Sequence, residues 1–321
     1  MTDVRWHSDL LEGYECHDVV LDDAVIAPGE PTDTDLVATL VRRIAEQPSR
    51  RAILYVHGWN DYFFQSHLGD HWAAQGYDFY AVDLRRYGRS LRRGQLPGFV
   101  SDLGEYAGEL DACVAEIRAD HDLLLLMGHS TGGLIAAVWV ADHPGKVDGL
   151  VLNSPWLDLQ ATTMVRTLGT PVIDTLGGLL ATTALPMTDA GFYARALHSS
   201  QEGEWDYDLD LKSSPAASVR VGWLRAVLQG HQRVARGLGI EVPVLVMCSD
   251  RTVYKRRWDE TMRRADTVLD VSQIAARAPR LGSCVTLVRI AGGMHDLVLS
   301  AQPARDQVFT EMVRWTRGYV D

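Results

Sequence analysis

The stretch Leu123–Ala141 reads LLLLMGHSTGGLIAAVWVA, in which a glycine-rich turn joins two apolar runs. The first run predicts a buried strand, since strands that are covered on both faces are continuously apolar. The second run predicts a helix over Gly132–Ala141 that packs closely on a sheet, because its residues are small and apolar. Ser130 lies between the two runs in a G-x-S-x-G pattern, which in this context exposes the serine hydroxyl at a sharp turn. The pattern predicts a nucleophilic serine, against the alternative of a glycine-rich turn with an incidental serine.

Further apolar runs predict the other strands of a sheet. Together with Leu123–Met127, the predicted strands are Ala52–Val56, Asp78–Val82, Val147–Leu152, Val244–Cys248 and Val285–Ile290. Helical patterns, some with apolar residues three to four positions apart, occur at Asp102–Arg118, Gly132–Ala141 and Asp306–Arg317. This alternation predicts an α/β fold with a mostly parallel, doubly wound sheet and helices on both faces.

The alternation stops between residues 155 and 239, where glycine and proline punctuate a sequence with many aromatic residues. We expect this segment, residues 155–239, to be an insertion that crosses the top of the sheet, while residues 1–154 and 240–321 form the core domain. A shorter irregular segment, Arg251–Arg264, is rich in arginine and follows a predicted strand.

A second candidate for chemistry is His295, in the sequence GGMHD after the last predicted strand. An imidazole titrates near pH 6.5, so it can accept the serine proton and return it near neutrality. Among the eleven histidines, His295 is the one that combines a loop position after a strand with the chain order serine, acid, histidine. The acid that orients this histidine is left open by the spacing, with Asp250, Asp266 and Asp270 as the candidates.

The third candidate is the segment His57-Gly58-Trp59 at the end of a predicted strand. Where a serine occupies this type of turn, two backbone amides bind the oxyanion, one directly after the serine and one in the loop after an earlier strand. These positions predict Thr131 and Trp59 as the two donors. We expect His57 to brace this loop and not to act as a base.

Charge and motif content exclude several functions. The formal net charge of -11 argues against a broad phosphate-binding surface, and no basic run is interleaved with aromatic residues, so nucleic acid is not an expected partner. The sequence has no H-E-x-x-H, Walker or dinucleotide-binding pattern, so neither a metal nor a cofactor is expected. A solvated loop or an ion-pair network is the interpretation of five clustered arginines, Arg85, Arg86, Arg89, Arg92 and Arg93.

The location and assembly of the protein are weakly constrained. No apolar stretch reaches the roughly 18 residues of a membrane-spanning helix, and the amino terminus lacks the basic start and apolar centre of a secretory signal. The four cysteines are far apart and form no C-x-x-C pair. We expect a cytoplasmic protein with no transmembrane segment, while a transient contact with a lipid interface and the oligomeric state are left open.

With these motifs in place, the chain resembles the α/β-hydrolase superfamily, and within it the monoacylglycerol lipase, lysophospholipase and serine aminopeptidase-like group. The resemblance is carried by HGW, by the segment Asp83–Ser90, by GHSTGG and by GGMHD. In that group the acid begins a D-x-apolar-x-D segment, which Asp266–Asp270 matches, so the resemblance favours Asp266. The chain departs from the group by the insertion before this segment, and by Arg86 where relatives usually carry glycine.

The resemblance implies a Ser-His-Asp triad acting through an acyl-enzyme on carboxylic esters, such as a monoglyceride, a lysophospholipid or another small or lipid ester. Amide or peptide hydrolysis by the same triad is the alternative, and a catalytically silent ligand-binding homologue is a further one. The resemblance also implies that the insertion of residues 155–239 is a mainly helical cap over the active site, which selects the substrate. The candidate substrate-binding residues in this cap are Trp156, Leu179, Phe192, Tyr193 and Trp223.

Overall fold

The computed structural model describes residues 5–159, 180–186 and 190–321. These residues form a nine-stranded sheet with the order β1-β2-β3-β5-β4-β6-β7-β8-β9. The strands are β1 (His7–Ser8), β2 (Glu15–Val20), β3 (Val37–Arg43), β4 (Arg51–Val56), β5 (Asp78–Asp83), β6 (Leu123–His129), β7 (Gly149–Asn153), β8 (Val244–Ser249) and β9 (Val285–Ile290). All pairings from β5 to β9 are parallel. The prediction of a mostly parallel α/β sheet is therefore confirmed.

The helices that we label are α1 (Ser66–Ala74), α2 (Ala107–Arg118), α3 (Thr131–Asp142), α4 (Phe192–Leu197), α5 (Val221–Arg236), α6 (Val271–Arg277) and α7 (Gln302–Tyr319). The predicted helices correspond to α2, α3 and α7. A 3-10 turn over Leu103–Tyr106 precedes α2, and Asp102 caps that turn by accepting a hydrogen bond from the amide of Gly104 at 2.7 Å.

Both faces of the sheet are covered, which explains why its central strands are apolar throughout. In β6, Leu124 and Leu126 belong to a hydrophobic cluster with residues of α2, α3 and α5. Leu125 and Met127, on the opposite face, belong to a second cluster with residues of α1 and α7. Every residue of α3 from Thr131 to Val140 is buried, since this helix lies between the sheet and α5.

Three antiparallel strands at the amino terminus extend the sheet beyond the predicted strands. β2 pairs with β3, and β3 pairs with β5 in the register Leu40 to Val82. β2 lies near the edge of the sheet, so buried and exposed residues are interspersed along it.

Three of the five clustered arginines, Arg85, Arg86 and Arg89, form ion pairs that are largely removed from solvent. The Arg85 guanidinium pairs with Glu109, and Arg89 pairs with both Asp9 and Asp83. The side chains of Arg85 and of the three carboxylate partners are at most 4% exposed, and that of Arg89 is 7% exposed. The structure thus shows an ion-pair network for these three arginines, whereas Arg92 forms a partly exposed pair with Asp18 and Arg93 is exposed.

Arg86 occupies a left-handed backbone conformation with φ 65°, which favours glycine. Its guanidinium is 1% exposed and forms two hydrogen bonds to the Glu30 carboxylate, at 2.7 and 2.8 Å. It also donates to the carbonyl oxygens of Phe99 and Val25. The side chain thus stabilises the loop through contacts that a glycine could not make.

None of the described helices has the length and apolar character needed to cross a bilayer.

Candidate active site

Ser130 lies at the junction of β6 and α3 with φ 53° and ψ -118°, a conformation that L-residues rarely adopt. The flanking glycines are required by close packing. A Cβ on Gly128 would lie 2.6 Å from the carbonyl oxygen of Gly132, and a Cβ on Gly132 would lie 2.1 Å from that of His57. The turn can therefore form only where these side chains are absent.

Backbone hydrogen bonds fix the turn at Ser130. Its amide donates to the carbonyl oxygen of Asn153 at 3.0 Å. Its carbonyl oxygen accepts from the amides of Gly133, Leu134 and Trp156 at 2.9 to 3.3 Å. The serine side chain takes part in none of these bonds, so the hydroxyl is free for other contacts.

The structure brings Ser130, His295 and Asp266 together in one hydrogen-bonded chain. The Ser130 hydroxyl lies 2.9 Å from Nε2 of His295, and Nδ1 of His295 lies 2.9 Å from Oδ2 of Asp266. Ser130 is 8% exposed, His295 3% and Asp266 0%. These three residues come from the carboxyl ends of β6, β9 and β8, which meet at one edge of the parallel sheet.

Asp266 reaches this position although fifteen residues separate it from Asp250 at the end of β8. Its amide donates to the carbonyl oxygen of Arg251, and its carbonyl oxygen accepts from the amide of Val253, so the insertion returns to the strand end. Asp250 instead accepts from the amide of Gly292 at 3.2 Å. Asp270 caps α6 by accepting from the amide of Ser272 at 2.9 Å. Of the three candidate acids, Asp266 is the one in contact with His295.

The two predicted oxyanion donors flank the serine. Thr131 is the first residue of α3, so its amide belongs to the unpaired amino-terminal turn of that helix. The Trp59 loop approaches from β4, and a Cβ on Gly58 would lie 3.1 Å from the Cβ of Ser130. The hydrogen bonds among the described residues leave the amides of Trp59 and Thr131 without an acceptor.

His57 is braced within the loop that carries Trp59. Its Nδ1 donates to the carbonyl oxygen of Gly58 at 2.7 Å, and its Nε2 accepts from the amide of Leu84 at 3.1 Å. Both ring nitrogens are thereby engaged with backbone, as a structural histidine requires. The Trp59 ring packs against Trp223 with centroids 4.0 Å apart, which also holds the loop.

A cavity of about 340 Å³ opens beside Ser130 and His295. Tyr193 lines it, and its ring lies 5.5 Å from that of His295. The described lining does not include the other candidate cap residues. Trp156 and Trp223 pack together with centroids 6.0 Å apart, and Phe192 packs near Trp258. Leu179 lies outside the described residues.

Sequence reasoning did not single out the polar residues of this cavity. Its lining also includes Asn60, Asp61, Lys212 and Ser213. One signal was available: the chain has 31 basic residues but only three lysines, namely Lys146, Lys212 and Lys255. A lysine inside a segment of aromatic and small residues was therefore unusual for this chain.

The sheet order, the serine turn and the loop positions define an α/β-hydrolase, and solved structures have the same fold. The monoglyceride lipase of Saccharomyces cerevisiae aligns with 93% of this chain and 98% of its own, with a TM-score of 0.64 and 18% identity. The monoacylglycerol lipase of Paleococcus ferrophilus aligns with 88% of this chain and 98% of its own, with a TM-score of 0.64 and 17% identity.

Within this fold the chain belongs to the Hydrolase_4 family, described as serine aminopeptidase, S33, whose family model matches residues 47–301. The phospholipase YtpA of Bacillus subtilis is 34% identical over 111 residues, which are 34% of this chain and 41% of that protein. The monoacylglycerol lipase of Mycolicibacterium smegmatis is 30% identical over 109 residues, 33% of this chain and 38% of that protein. These matches span less than half of either relative.

Proposed function

We propose that this protein is a serine hydrolase that cleaves carboxylic esters, with Ser130 as nucleophile, His295 as general base and Asp266 as the orienting acid. The observation that carries the proposal is the buried chain from the Ser130 hydroxyl through His295 to Asp266, with both links at 2.9 Å. This is the arrangement that activates a serine by an adjacent base, itself oriented by a third group. The resemblance to lipases and a phospholipase supports the same chemistry.

The reaction follows from these contacts. The Ser130 oxygen attacks the ester carbonyl while its proton passes to Nε2 of His295, whose Nδ1–H donates to Asp266. The tetrahedral intermediate then expels the alcohol, which leaves with the proton from His295. Water attacks the acyl-enzyme by the same route, releasing the acid and restoring Ser130.

The negative oxygen of the intermediate is bound by the amides of Trp59 and Thr131. Thr131 begins a helix whose dipole also favours negative charge at this end. Loss of one donor of this kind typically lowers turnover by about 10²–10³-fold. The close approach of Gly58 to Ser130 supports this assignment, because it brings the Trp59 loop next to the nucleophile.

The substrate is proposed to be a monoglyceride, a lysophospholipid or a similar acyl ester held under a cap that comprises residues 155–239. Tyr193 and Lys212, both from this segment, line the cavity beside Ser130, which supports a cap that forms part of the substrate site. The cavity of about 340 Å³ is near the lower end of the usual range for ligand pockets. The four free cysteines are in keeping with a proposed cytoplasmic location.

The test is hydrolysis of p-nitrophenyl esters with two to sixteen acyl carbons by the parent and by Ser130→Ala. We expect turnover by the parent and a loss of at least about 10³-fold in the variant, since the nucleophile is removed. Ser154→Ala is the matched control, because it removes a nearby buried hydroxyl outside this chain of contacts and should retain activity. Equal turnover by the parent and Ser130→Ala would overturn the assignment of the nucleophile.

Amide hydrolysis is the second candidate, because the family to which the chain belongs is described as serine aminopeptidase. Aminoacyl p-nitroanilides, assayed beside the esters, distinguish the two. Turnover of anilides with no turnover of esters would replace the ester proposal. Labelling of Ser130 by a fluorophosphonate would count against a silent binding protein.

A further inference from the structure

A buried ion pair joins the segment between β7 and β8 to the loop that carries Trp59. Nζ of Lys212 lies 2.7 Å from Oδ1 of Asp61, and the two side chains are 9% and 3% exposed. Asp61 follows Trp59 by two residues, so the pair is close in sequence to a proposed oxyanion donor. The same oxygen of Asp61 accepts from the amide of Tyr62 at 3.0 Å, which fixes the carboxylate to its own loop.

Asn60 makes a second connection between the same two segments. Its Nδ2 donates to the carbonyl oxygen of Ser213 at 2.8 Å, and its Oδ1 accepts from the Ser213 hydroxyl and from the amide of Ala217. Asn60 holds a left-handed conformation with φ 52°, so these bonds are made at a turn next to Trp59. Asn60 and Asp61 therefore attach residues 212–217 to the loop that carries Trp59.

The charges explain why a cation is needed at this point. One carboxylate oxygen of Asp61, one of Asp296 and a ring nitrogen of His129 lie within 4.8 Å of one another, and all three residues are buried. Among the described residues, Lys212 is the cation that pairs with this group. A buried carboxylate without a partner is strongly unfavourable, so removal of the ammonium would push Asp61 away from its present position.

Aromatic rings confine the Lys212 ammonium. The ring centroids of Phe64, Tyr193 and Tyr207 lie 5.6 to 6.0 Å from Nζ. Phe64 lies between β4 and α1, in the same connection as Trp59, while both tyrosines belong to the segment between β7 and β8. The ammonium thus lies where the two segments meet, and its position is defined from both sides.

We propose that Lys212 is a positioning residue, which holds the Trp59 amide in place through its ion pair with Asp61. The inference rests on the proposed function, since it concerns the oxyanion donor of that reaction. Lys212 acts through Asp61 and not on the reacting atoms, so its loss should lower kcat with little change in KM. A misplacement of about 1 Å in a site of this type can cost about 10²-fold, and we expect a loss of about 10- to 100-fold for Lys212→Met.

The experiment measures ester kinetics and backbone hydrogen exchange for the parent, Lys212→Met, Asp61→Asn and the double variant. Lys255→Met is the matched control, because it removes the same charge from an exposed pair with Asp259. We expect the single variants to lower kcat and to speed exchange in peptides covering residues 57–65. The double variant should lose little more than Lys212→Met, since both changes break one contact.

The outcomes separate the alternatives. A raised KM at unchanged kcat in Lys212→Met would mean that Lys212 binds substrate directly. Unchanged kinetics and unchanged hydrogen exchange in this variant would mean that the ion pair does not hold the loop. Either result overturns the inference. If Lys212→Met does not fold, Asn60→Gly, which is allowed at positive φ, tests the adjacent connection by the same two measurements. If the parent hydrolyses no ester, the proposed function fails, while the exchange comparison still tests the attachment of the loop.

Discussion

Asp266→Asn converts one oxygen of a fully buried carboxylate into an NH2 group, and the contacts determine which oxygen changes. Oδ1 accepts from the amides of Val268 and Leu269 at 2.8 and 2.7 Å, while Oδ2 faces Nδ1 of His295 at 2.9 Å. An NH2 group at the Oδ1 position would meet two donors and forfeit both hydrogen bonds. Each unsatisfied buried group costs about 1–3 kcal/mol, so the asparagine carbonyl stays with the amides and its NH2 group faces His295.

The histidine must then accept at Nδ1 and carry its proton on Nε2, the nitrogen that faces Ser130. In that tautomer His295 cannot take the serine proton. A triad forced into the wrong tautomer typically loses about 10⁴-fold in kcat, equivalent to about 5.5 kcal/mol of transition-state stabilisation. We expect a loss of this order for Asp266→Asn, with the fold preserved because the variant is nearly isosteric.

The assay is the kcat for a p-nitrophenyl ester, with thermal melting to confirm folding. Asp250→Asn and Asp270→Asn are the controls, since neither carboxylate contacts His295. Asparagine is as good an N-cap as aspartate, so Asp270→Asn should also leave α6 intact. The reasoning is refuted if Asp266→Asn stays within tenfold of the parent, or if Asp250→Asn loses as much activity.

Two further predictions concern stability. Glu30→Gln leaves the buried Arg86 guanidinium without its counter-charge and should lower the free energy of unfolding by about 3–5 kcal/mol, measured by urea denaturation. Asp122→Asn, which breaks an exposed ion pair with Arg50, is the control. An equal effect of both substitutions would contradict the reasoning. Burial lowers the pKa of His231 to about 4, although a hydrogen bond to a backbone carbonyl opposes the shift. The unfolded chain takes up this proton near pH 6.5, so the free energy of unfolding should fall by up to about 3 kcal/mol between pH 6.5 and 4. His231→Gln should flatten this dependence, and an unchanged slope would assign it to other groups.

The parallel part of the sheet could be predicted because its strands are buried on both faces. That environment selects continuous apolar runs, as in β6 and β8. The strands β2 and β3 lie at the antiparallel edge, and polar residues such as His17 and Asp18 interrupt β2. β2 mixes polar and apolar residues as a surface loop does. Its apolar run is therefore too short to predict a strand.

In the site, the placement of Ser130 and His295 at one edge of the sheet could be predicted because each follows a strand within a glycine-rich turn. The contact between Asp266 and His295 was harder to predict, since it depends on how the insertion before Asp266 folds back onto β8. Lys212 and Asp61 are 151 residues apart, and neither lies in a motif. Their contact is set by the packing of one irregular segment on another, which local patterns do not encode.

The geometry of the turn at Ser130 has a consequence for redesign. Its unusual φ and ψ are maintained by main-chain bonds and by the absence of side chains at two glycines, so the serine contributes only its hydroxyl. A different side chain installed at this position would inherit the same exposure, the same neighbouring helix terminus and the same access to the histidine. The backbone conformation at residue 130 therefore does not depend on the serine hydroxyl. A different reactive side chain can be introduced at this position without changing the fold.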